Sequence, residues 1–210
     1  MRAINEKRAG DSLNNRLGIG LASFALIVNM LYFWYADTLV NRYFVLALIP
    51  LAFALYALIV SVVFSVIQIA ANKRMLKAYI PLAISLITVV LIIFFPFRMA
   101  KVKTELYLLE KDRMQVVEMV QNGELAVDEL GNAQLPAKYN MNSSDGSVFV
   151  YQNDEEQVVS FWVFRGMLSG SIELIYSSGD ESLIYQNVSA HPIENVTKLK
   201  DHWYLVDTDY

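Results

Sequence analysis

Apolar residues in the first half of the chain form three long runs without a charged side chain. The runs cover about residues 17–35, 43–71 and 78–97. A helix needs roughly 20 apolar residues to cross the hydrocarbon of a bilayer, and helices of water-soluble proteins rarely sustain such runs. The pattern therefore predicts three transmembrane helices, with residues 37–42 forming a short hairpin between the first two.

Beyond the third run the pattern becomes amphipathic. Apolar residues recur at helical steps, interrupted by Arg113, at Val102, Leu106, Leu109, Val116 and Val120. This spacing places them on one face of a helix. We predict a helix over residues 99–122, because Gly123 can adopt the left-handed conformation that commonly ends a helix.

The remainder of the chain contains short segments rich in β-branched and aromatic residues, separated by polar or glycine-containing turns. Such segments are typical of strands joined by hairpins, and their short connections exclude helical crossovers. The predicted strands are residues 147–152, 157–164, 171–176, 182–187, 194–199 and 203–207. We predict an antiparallel meander with the amphipathic helix packed on one face. The opposite face is expected to be exposed or partly covered by the loop at residues 124–139.

Charge divides the chain at the same place as hydropathy. Residues 1–98 carry nine basic and three acidic side chains, whereas residues 99–210 carry eight basic and eighteen acidic ones. Phosphate backbones would repel the acidic half, which argues against nucleic-acid binding. The predicted fold class is a membrane protein: a three-helix transmembrane bundle, residues 1–98, followed by a soluble α+β domain, residues 99–210.

Basic residues near the ends of the runs predict the orientation in the membrane. The segment before the first run contributes four and the link after the second run contributes three, so seven lie on one side. Between four and six lie on the other side, depending on how far beyond the third run they are counted. Because basic residues concentrate on the cytoplasmic side, we expect a cytoplasmic N-terminus and an extracytoplasmic C-terminal domain on the cell membrane.

Polar residues within the runs are few, and none is ionisable. Carriers usually bind their coupling ion with ionisable side chains at membrane depth, so the chain is not expected to transport a solute by itself. Ala57, Ser61 and Ser65 repeat at four-residue spacing, which favours close packing of helices. We expect this face and Asn29 to pack inside the bundle, with a subunit interface as the alternative.

No motif in the sequence predicts a catalytic residue, a cofactor site or a metal site. The chain has no cysteine, no glycine-rich phosphate loop and no GxSxG nucleophile motif. His191 and His202 do not have the spacing of metal ligands, and the SGDES segment at residues 178–182 indicates a hairpin turn. We therefore do not expect an enzyme; a membrane hydrolase using His202 and Asp201 is the least favoured alternative.

Two resemblances bear on the class of protein. The order of membrane segment, amphipathic helix and short strands resembles the layout of type IV pilins and pseudopilins, although those have one hydrophobic helix after a basic leader, and this sequence has three runs. The segments LPAKY, DGSVFVY, FWVFRG, YSSGDES and DHWYLVD resemble the tails of small, functionally uncharacterised bacterial membrane-anchored proteins. This second resemblance implies a bacterial origin and carries over no activity.

Four side chains in the predicted sheet belong to types that often anchor protein interfaces: Trp162, Arg165, Trp203 and Tyr204. We interpret them as candidate partner contacts. The predicted function is that of a membrane-anchored accessory or interaction protein. It would be held by the lipid bilayer and would present its acidic domain to a protein partner, a ligand or a second copy of itself. The alternative is a subunit of a multi-protein membrane transporter or secretion assembly.

Overall fold

The structure is a computed structural model that describes residues 2–71, 76–152, 156–165, 170–187 and 193–208, with side chains described from residue 13 onward. His191, one of the two histidines weighed as metal ligands, lies outside the described residues. The chain divides into two compact units, Met1–Phe97 and Arg98–Tyr210. This division falls one residue before the predicted boundary.

Three α-helices account for most of the described residues of the first unit. Helix α1 covers Arg2–Tyr43, α2 covers Leu48–Ala71 and α3 covers Ile80–Phe94, with 3₁₀ turns at Phe44–Ala47 and Leu76–Tyr79. A long apolar run favours helix because the helix satisfies its backbone hydrogen-bonding groups within one segment. Helix α3 ends where Phe95 becomes extended, since a residue before proline, here Pro96, is disfavoured in the helical conformation.

Helices α1 and α2 run antiparallel to each other. Asn29 Nδ2 donates a hydrogen bond to the Ala54 carbonyl at 2.9 Å, and Gln68 Nε2 donates one to Asn15 Oδ1 at 3.4 Å. Positions later in α1 therefore lie beside positions earlier in α2.

Helix α3 returns alongside α1. The Phe33 ring stacks on the Phe97 ring with 5.7 Å between centroids. A Cβ atom built on Gly18 would lie 3.0 Å from Cγ of Pro81, which begins α3. The three helices thus alternate in direction along the chain, so α2 is antiparallel to both of its neighbours.

Two helical segments, Leu13–Ala71 and Leu76–Phe94, are long and apolar enough to cross a membrane among the described residues, where the sequence predicts three. The first segment contains both the first and the second predicted span, because the chain stays helical through residues 36–42 and through the 3₁₀ turn. The predicted hairpin at residues 37–42 is therefore wrong. The chain reverses at Phe44, whose φ of 47° is the left-handed conformation.

Polar side chains occupy the interior of this unit and apolar side chains its exterior. Side chains that are at most 6% exposed include Asn29, Ser61, Ser65, Gln68, Ser85 and Thr88. In contrast, Phe94 is 75% exposed, Ile49 66% and Tyr56 65%. Water-soluble proteins bury large apolar residues instead, so this distribution is the reverse of theirs.

The amphipathic helix, α4, covers Phe97–Gln121, and all of it except Phe97 belongs to the second unit. Gly123 has a φ of +68°, its amide donates to the Val120 carbonyl at 3.1 Å, and the Glu124 amide donates to the Met119 carbonyl at 2.8 Å. This pair of bonds is a Schellman motif, which satisfies carbonyls at the end of a helix. The prediction that Gly123 ends the helix is confirmed.

In the described part of the chain beyond α4 there are six antiparallel strands and a short α-helix. They are β1 at Asn132–Gln134, β2 at Ser147–Gln152, β3 at Gln157–Phe164, β4 at Ile172–Ser177, α5 at Ser182–Asn187, β5 at Ile193–Lys200 and β6 at Trp203–Thr208. The strand order is β1-β2-β3-β4-β6-β5. The sheet is therefore not a simple meander, because β6 pairs with both β4 and β5 and lies between them.

The predicted strand at residues 182–187 is wrong, since this segment forms α5. Asp180 Oδ1 accepts a hydrogen bond from the Ser182 amide at 2.9 Å, and a side-chain acceptor at this place favours the first turn of a helix. Strand β1 was not predicted, because three residues beside Gly131 carry no recognisable alternation.

Apolar cores lie on both faces of the sheet. On one face α4 packs on β2, β3, β4 and β6 through residues that include Val116, Val117, Phe161, Leu174 and Trp203. The loop residues Leu125 and Leu135 join this same core, so the predicted cover of the opposite face by residues 124–139 is wrong. The opposite face is covered instead by Leu183 and Ile184 of α5, which pack with Val158, Ile175, Tyr204 and Val206.

Candidate functional site

The predicted packing residues of the bundle lie where the helices meet. Ser61 Oγ is 2.8 Å from Ser85 Oγ, and Ser65 Oγ donates to the Ser61 carbonyl at 2.7 Å. Asn29 Nδ2 donates to the Ala25 and Ala54 carbonyls at 2.8 and 2.9 Å, whereas Ala57 is only half-buried. These serine side chains are used within the unit, which removes the observation that favoured a subunit interface on this face.

The predicted partner contacts divide into two pairs. Trp203 is 2% exposed and Tyr204 is 5% exposed, and they belong to the cores on opposite faces of the sheet. Both side chains are thus occupied by internal packing. Trp162 is half-buried and Arg165 is exposed, so this pair alone among the four presents surface that a partner could contact.

Trp162 and Arg165 form an exposed corner at the end of β3 together with Asp145. The guanidinium carbon of Arg165 lies 4.8 Å from the centroid of the Trp162 ring. Arg165 Nη1 donates to Asp145 Oδ2 at 2.7 Å, and the two side chains are 55% and 29% exposed. We call these three residues the Trp–Arg corner. Aromatic stacking and the ion pair hold the long arginine side chain in one place.

The turn at residues 143–147 fixes Asp145 beside β3. The Ser144 amide donates to the Trp162 carbonyl at 2.7 Å, and the Trp162 amide donates to Ser143 Oγ at 2.9 Å. Within the turn, the Ser147 amide donates to Asp145 Oδ1 at 2.9 Å. A surface that is already ordered loses less conformational entropy when it binds, so these bonds suit the corner to recognition.

A buried carboxyl group lies on the same face of the sheet as Trp162. Glu173 is 2% exposed, pairs with Trp162 in the register of β3 and β4, and accepts a hydrogen bond from Ser160 Oγ. Burial raises the pKa of Glu173 from 4.5 to about 7, against the opposing effects of the Ser160 hydrogen bond and the Arg165 charge. The group can therefore change its charge near neutral pH. Glu173 was not predicted as a site residue, although an acid inside the apolar run of residues 172–176 was the available signal.

A buried arginine of α4 lies over the other face of the sheet, between the helix and the strands. Arg113 is 3% exposed, and its Nε and Nη1 atoms have no hydrogen-bond partner within the described part of the chain. Nη2 donates to the Asn142 carbonyl at 3.4 Å, and burial lowers the pKa of Arg113 from 12.5 to about 10, with an opposing contribution from Glu105. Its interruption of the helical stripe was visible in the sequence, but its burial was not predicted.

The histidine and aspartate of the hydrolase alternative line a shallow depression of about 380 Å³ between the β4–α5 loop and the β5–β6 turn. His202 Nδ1 is 2.9 Å from the Ser177 carbonyl, and Asp201 forms an ion pair with Lys198 at 3.1 Å. Ser178 Oγ accepts a bond from the Gln157 amide at 2.8 Å. These contacts connect the turns to the sheet, and no hydrogen bond among the described residues joins His202 to Asp201 or to Ser178.

A search of the described residues for a metal site and comparisons of the chain with known proteins give no further candidate site. The described residues contain no group of three or more histidine, aspartate and glutamate side chains that could hold a metal ion. No protein-family model, curated protein or solved structure matches the chain. The resemblances to pilin-like layouts and to bacterial membrane-anchored proteins stay predictions, and the Trp–Arg corner is the strongest candidate for a functional surface.

Proposed function

We propose that the chain is a membrane-anchored interaction protein. In this proposal α1, α2 and α3 each cross the cell membrane, and the unit Arg98–Tyr210 lies outside the cytoplasm. There it presents the Trp–Arg corner to a protein partner. The proposed protein performs no chemistry of its own, and its task is recognition at the membrane surface.

The distribution of polar and apolar side chains in the first unit supports the anchor. Exposed apolar surface as large as that of Phe94, Ile49 and Tyr56 is costly in water, at about 25 cal/mol for each Å². Lipid removes this cost, while inside the bundle Ser61 and Ser85 bond to each other and Asn29 donates to backbone carbonyls of α1 and α2. A bilayer is thus the environment that suits an apolar exterior around a polar interior.

The helix lengths and directions support three crossings instead of two. Helix α2 has 24 residues, which gives a length of about 36 Å, and Leu76–Phe94 has 19 residues, or about 28 Å. Both lengths approach or exceed the roughly 30 Å of hydrocarbon. Because the chain reverses at Phe44, the segment Leu13–Ala71 supplies two antiparallel helices, one for each direction of crossing.

The orientation rests on the basic residues, seven on one side and four to six on the other. An acidic unit on the outer side is compatible with this count, since acidic residues contribute little to the rule. The observation that carries the recognition role is the Trp–Arg corner itself. Tryptophan and arginine are enriched among the residues that dominate binding energy, and here they are adjacent, ordered and accessible.

Site-specific crosslinking in intact membranes tests this role. A photoreactive amino acid replaces Ser144, which is exposed and bonded to the backbone of Trp162, and in a second variant it replaces the exposed Glu124, the matched control. We expect a crosslinked product from position 144 that is absent from position 124. Arg165→Ala should reduce that product severalfold, whereas Lys198→Ala should leave it unchanged. Equal crosslinking at both positions, or no effect of Arg165→Ala, would refute the proposal.

A further inference from the structure

Helix α4 has an exposed apolar pair on the face that points away from the sheet. Tyr107 is 82% exposed and Leu108 is 69% exposed, whereas the buried residues of α4, such as Val102 and Leu106, pack into the core. These exposed fractions show that no described residue packs over Tyr107 and Leu108. Large apolar side chains that are this exposed often mark a surface that another molecule covers.

Basic side chains flank the pair on both sides. Lys103 and Lys111 lie four residues before and four residues after Tyr107, and both are exposed without an ion-pair partner among the described residues. The unit Arg98–Tyr210 carries nine basic and eighteen acidic side chains, whereas residues 98–111 carry four basic and two acidic ones, so the start of α4 is a local exception to the charge of the unit. Lysines around an exposed tyrosine and leucine are typical of helices that bind an anionic lipid surface.

The position of the pair along the chain favours lipid over a protein as the covering molecule. Only Phe95 and Pro96 separate the end of α3 from the start of α4. Tyr107 follows Phe97 by ten residues, which is about 15 Å along a helix. The extended conformation of Phe95 allows the chain to change direction where it leaves the membrane.

We propose that the first four turns of α4 lie along the surface of the membrane that α3 leaves. Tyr107 and Leu108 enter the headgroup region, and Lys103 and Lys111 contact the phosphates of anionic lipids. The proposal rests on the membrane anchoring proposed above. It adds a second, peripheral attachment of the soluble unit, which would limit the directions in which the Trp–Arg corner can face.

A spin label tests this attachment without altering the proposed contacts. The native chain has no cysteine, so a single cysteine at Thr104 can be labelled without competing sites. Thr104 lies on the exposed face of α4 between the lysine and the tyrosine, and a cysteine at the exposed Glu118 is the control on the same face, about 21 Å further along the helix. The full chain is placed in nanodiscs of either zwitterionic or anionic lipid, and nickel-chelating lipid headgroups supply the relaxing agent.

We expect headgroup nickel to relax the label at position 104 at least about threefold more than the label at position 118, and more strongly in anionic discs. The double variant Tyr107→Ser, Leu108→Ser should abolish the difference, and Lys103→Gln with Lys111→Gln should remove its dependence on lipid charge.

Equal relaxation at both positions in a chain that is inserted in the disc would overturn the proposal. Immobilisation of the label at position 104 that persists in detergent would overturn it in favour of a protein contact. A chain that alkaline carbonate extracts from membranes would instead refute the anchor.

Discussion

The guanidinium carbon of Arg113 lies 5.9 Å from the centroid of the Phe161 ring, inside the core between α4 and the sheet. A cation–π contact contributes about 0.5 to 2 kcal/mol, whereas the desolvation of a buried ion costs several kcal/mol. The lowered pKa of Arg113 reflects that cost. The buried charge of Arg113 therefore destabilises the folded state by more than the contact with Phe161 stabilises it.

Replacement of Arg113 by methionine should consequently leave the second unit as stable as before or make it more stable. Methionine keeps most of the volume of the side chain and removes the unpaired charge. Arg113→Ala should destabilise the unit by about 2 to 3 kcal/mol, because it leaves a cavity. Thermal unfolding followed by tryptophan fluorescence measures both changes. Equal destabilisation by the two variants would mean that the charge itself is needed.

Glu173 should make the stability of the second unit dependent on pH. Its folded-state pKa of about 7 lies above the ordinary value of 4.5, so between these values the folded chain retains a proton that the unfolded chain has released. Stability therefore decreases as pH rises from about 4.5 to about 7 and is level above that range. Glu173→Gln should match the native chain near pH 4 and exceed it near pH 8 by up to about 3 kcal/mol.

The measurement for Glu173 is thermal unfolding across this pH range, compared between the two proteins. Glu156→Gln is the matched control, because it removes a carboxylate that is partly exposed and near the sheet. A stability difference between Glu173→Gln and the native chain that stays constant with pH would contradict the assignment.

Two glycines in α1 test the packing of the bundle. A Cβ atom on Gly18 would approach Gln68 Oε1 to 2.6 Å and Pro81 Cγ to 3.0 Å, whereas nothing lies within 4 Å of a Cβ atom on Gly20. Gly18→Ala should destabilise the three-helix packing by about 1 kcal/mol, while Gly20→Ala should have no effect or a small favourable one. Reversible unfolding in mixed detergent micelles compares them. Similar values for both would indicate that α1 does not contact α2 and α3 at Gly18.

The orientation can be tested with an introduced cysteine. Met141 is 88% exposed, and the chain has no cysteine that would react in its place. We expect Met141→Cys to react with a membrane-impermeant maleimide in intact cells, and Asn5→Cys to react only after the membrane is opened. Reaction of Asn5→Cys alone in intact cells would invert the orientation, and the proposed recognition would then occur in the cytoplasm.

The bounds of an element could be predicted from the sequence where turn-forming residues or a glycine mark its ends. Strands β2 and β3 have the predicted bounds, because polar turn residues stop the alternation at both ends. The end of α4 at Gly123 was predictable for the same reason. The segment Ser182–Asn187 was ambiguous, since six residues of mixed polarity fit a short strand as well as a short helix.

That one error affected the interpretation of the site. With α5 assigned as a strand, the second face of the sheet was expected to be largely uncovered, and Tyr204 could then have faced a partner. The structure places Ile184 of α5 against this face and buries Tyr204 with it. Glu173 escaped notice for a related reason, since the burial of a strand residue depends on which distant segment covers it. The Trp–Arg corner was predictable in its residue types, but Asp145 joins it through tertiary folding.

The position of β6 has a consequence for the synthesis of this protein. β6 lies between β4 and β5 and contributes Trp203 and Leu205 to one core and Tyr204 and Val206 to the other. A nascent chain that has emerged only as far as β5 therefore lacks a central strand and exposes the apolar faces that β6 completes. Because non-local strand pairing is slow and unpaired edges aggregate, the unit passes through a vulnerable interval before β6 is released. In the proposed arrangement, the membrane anchor would keep these incomplete sheets apart from one another during that interval.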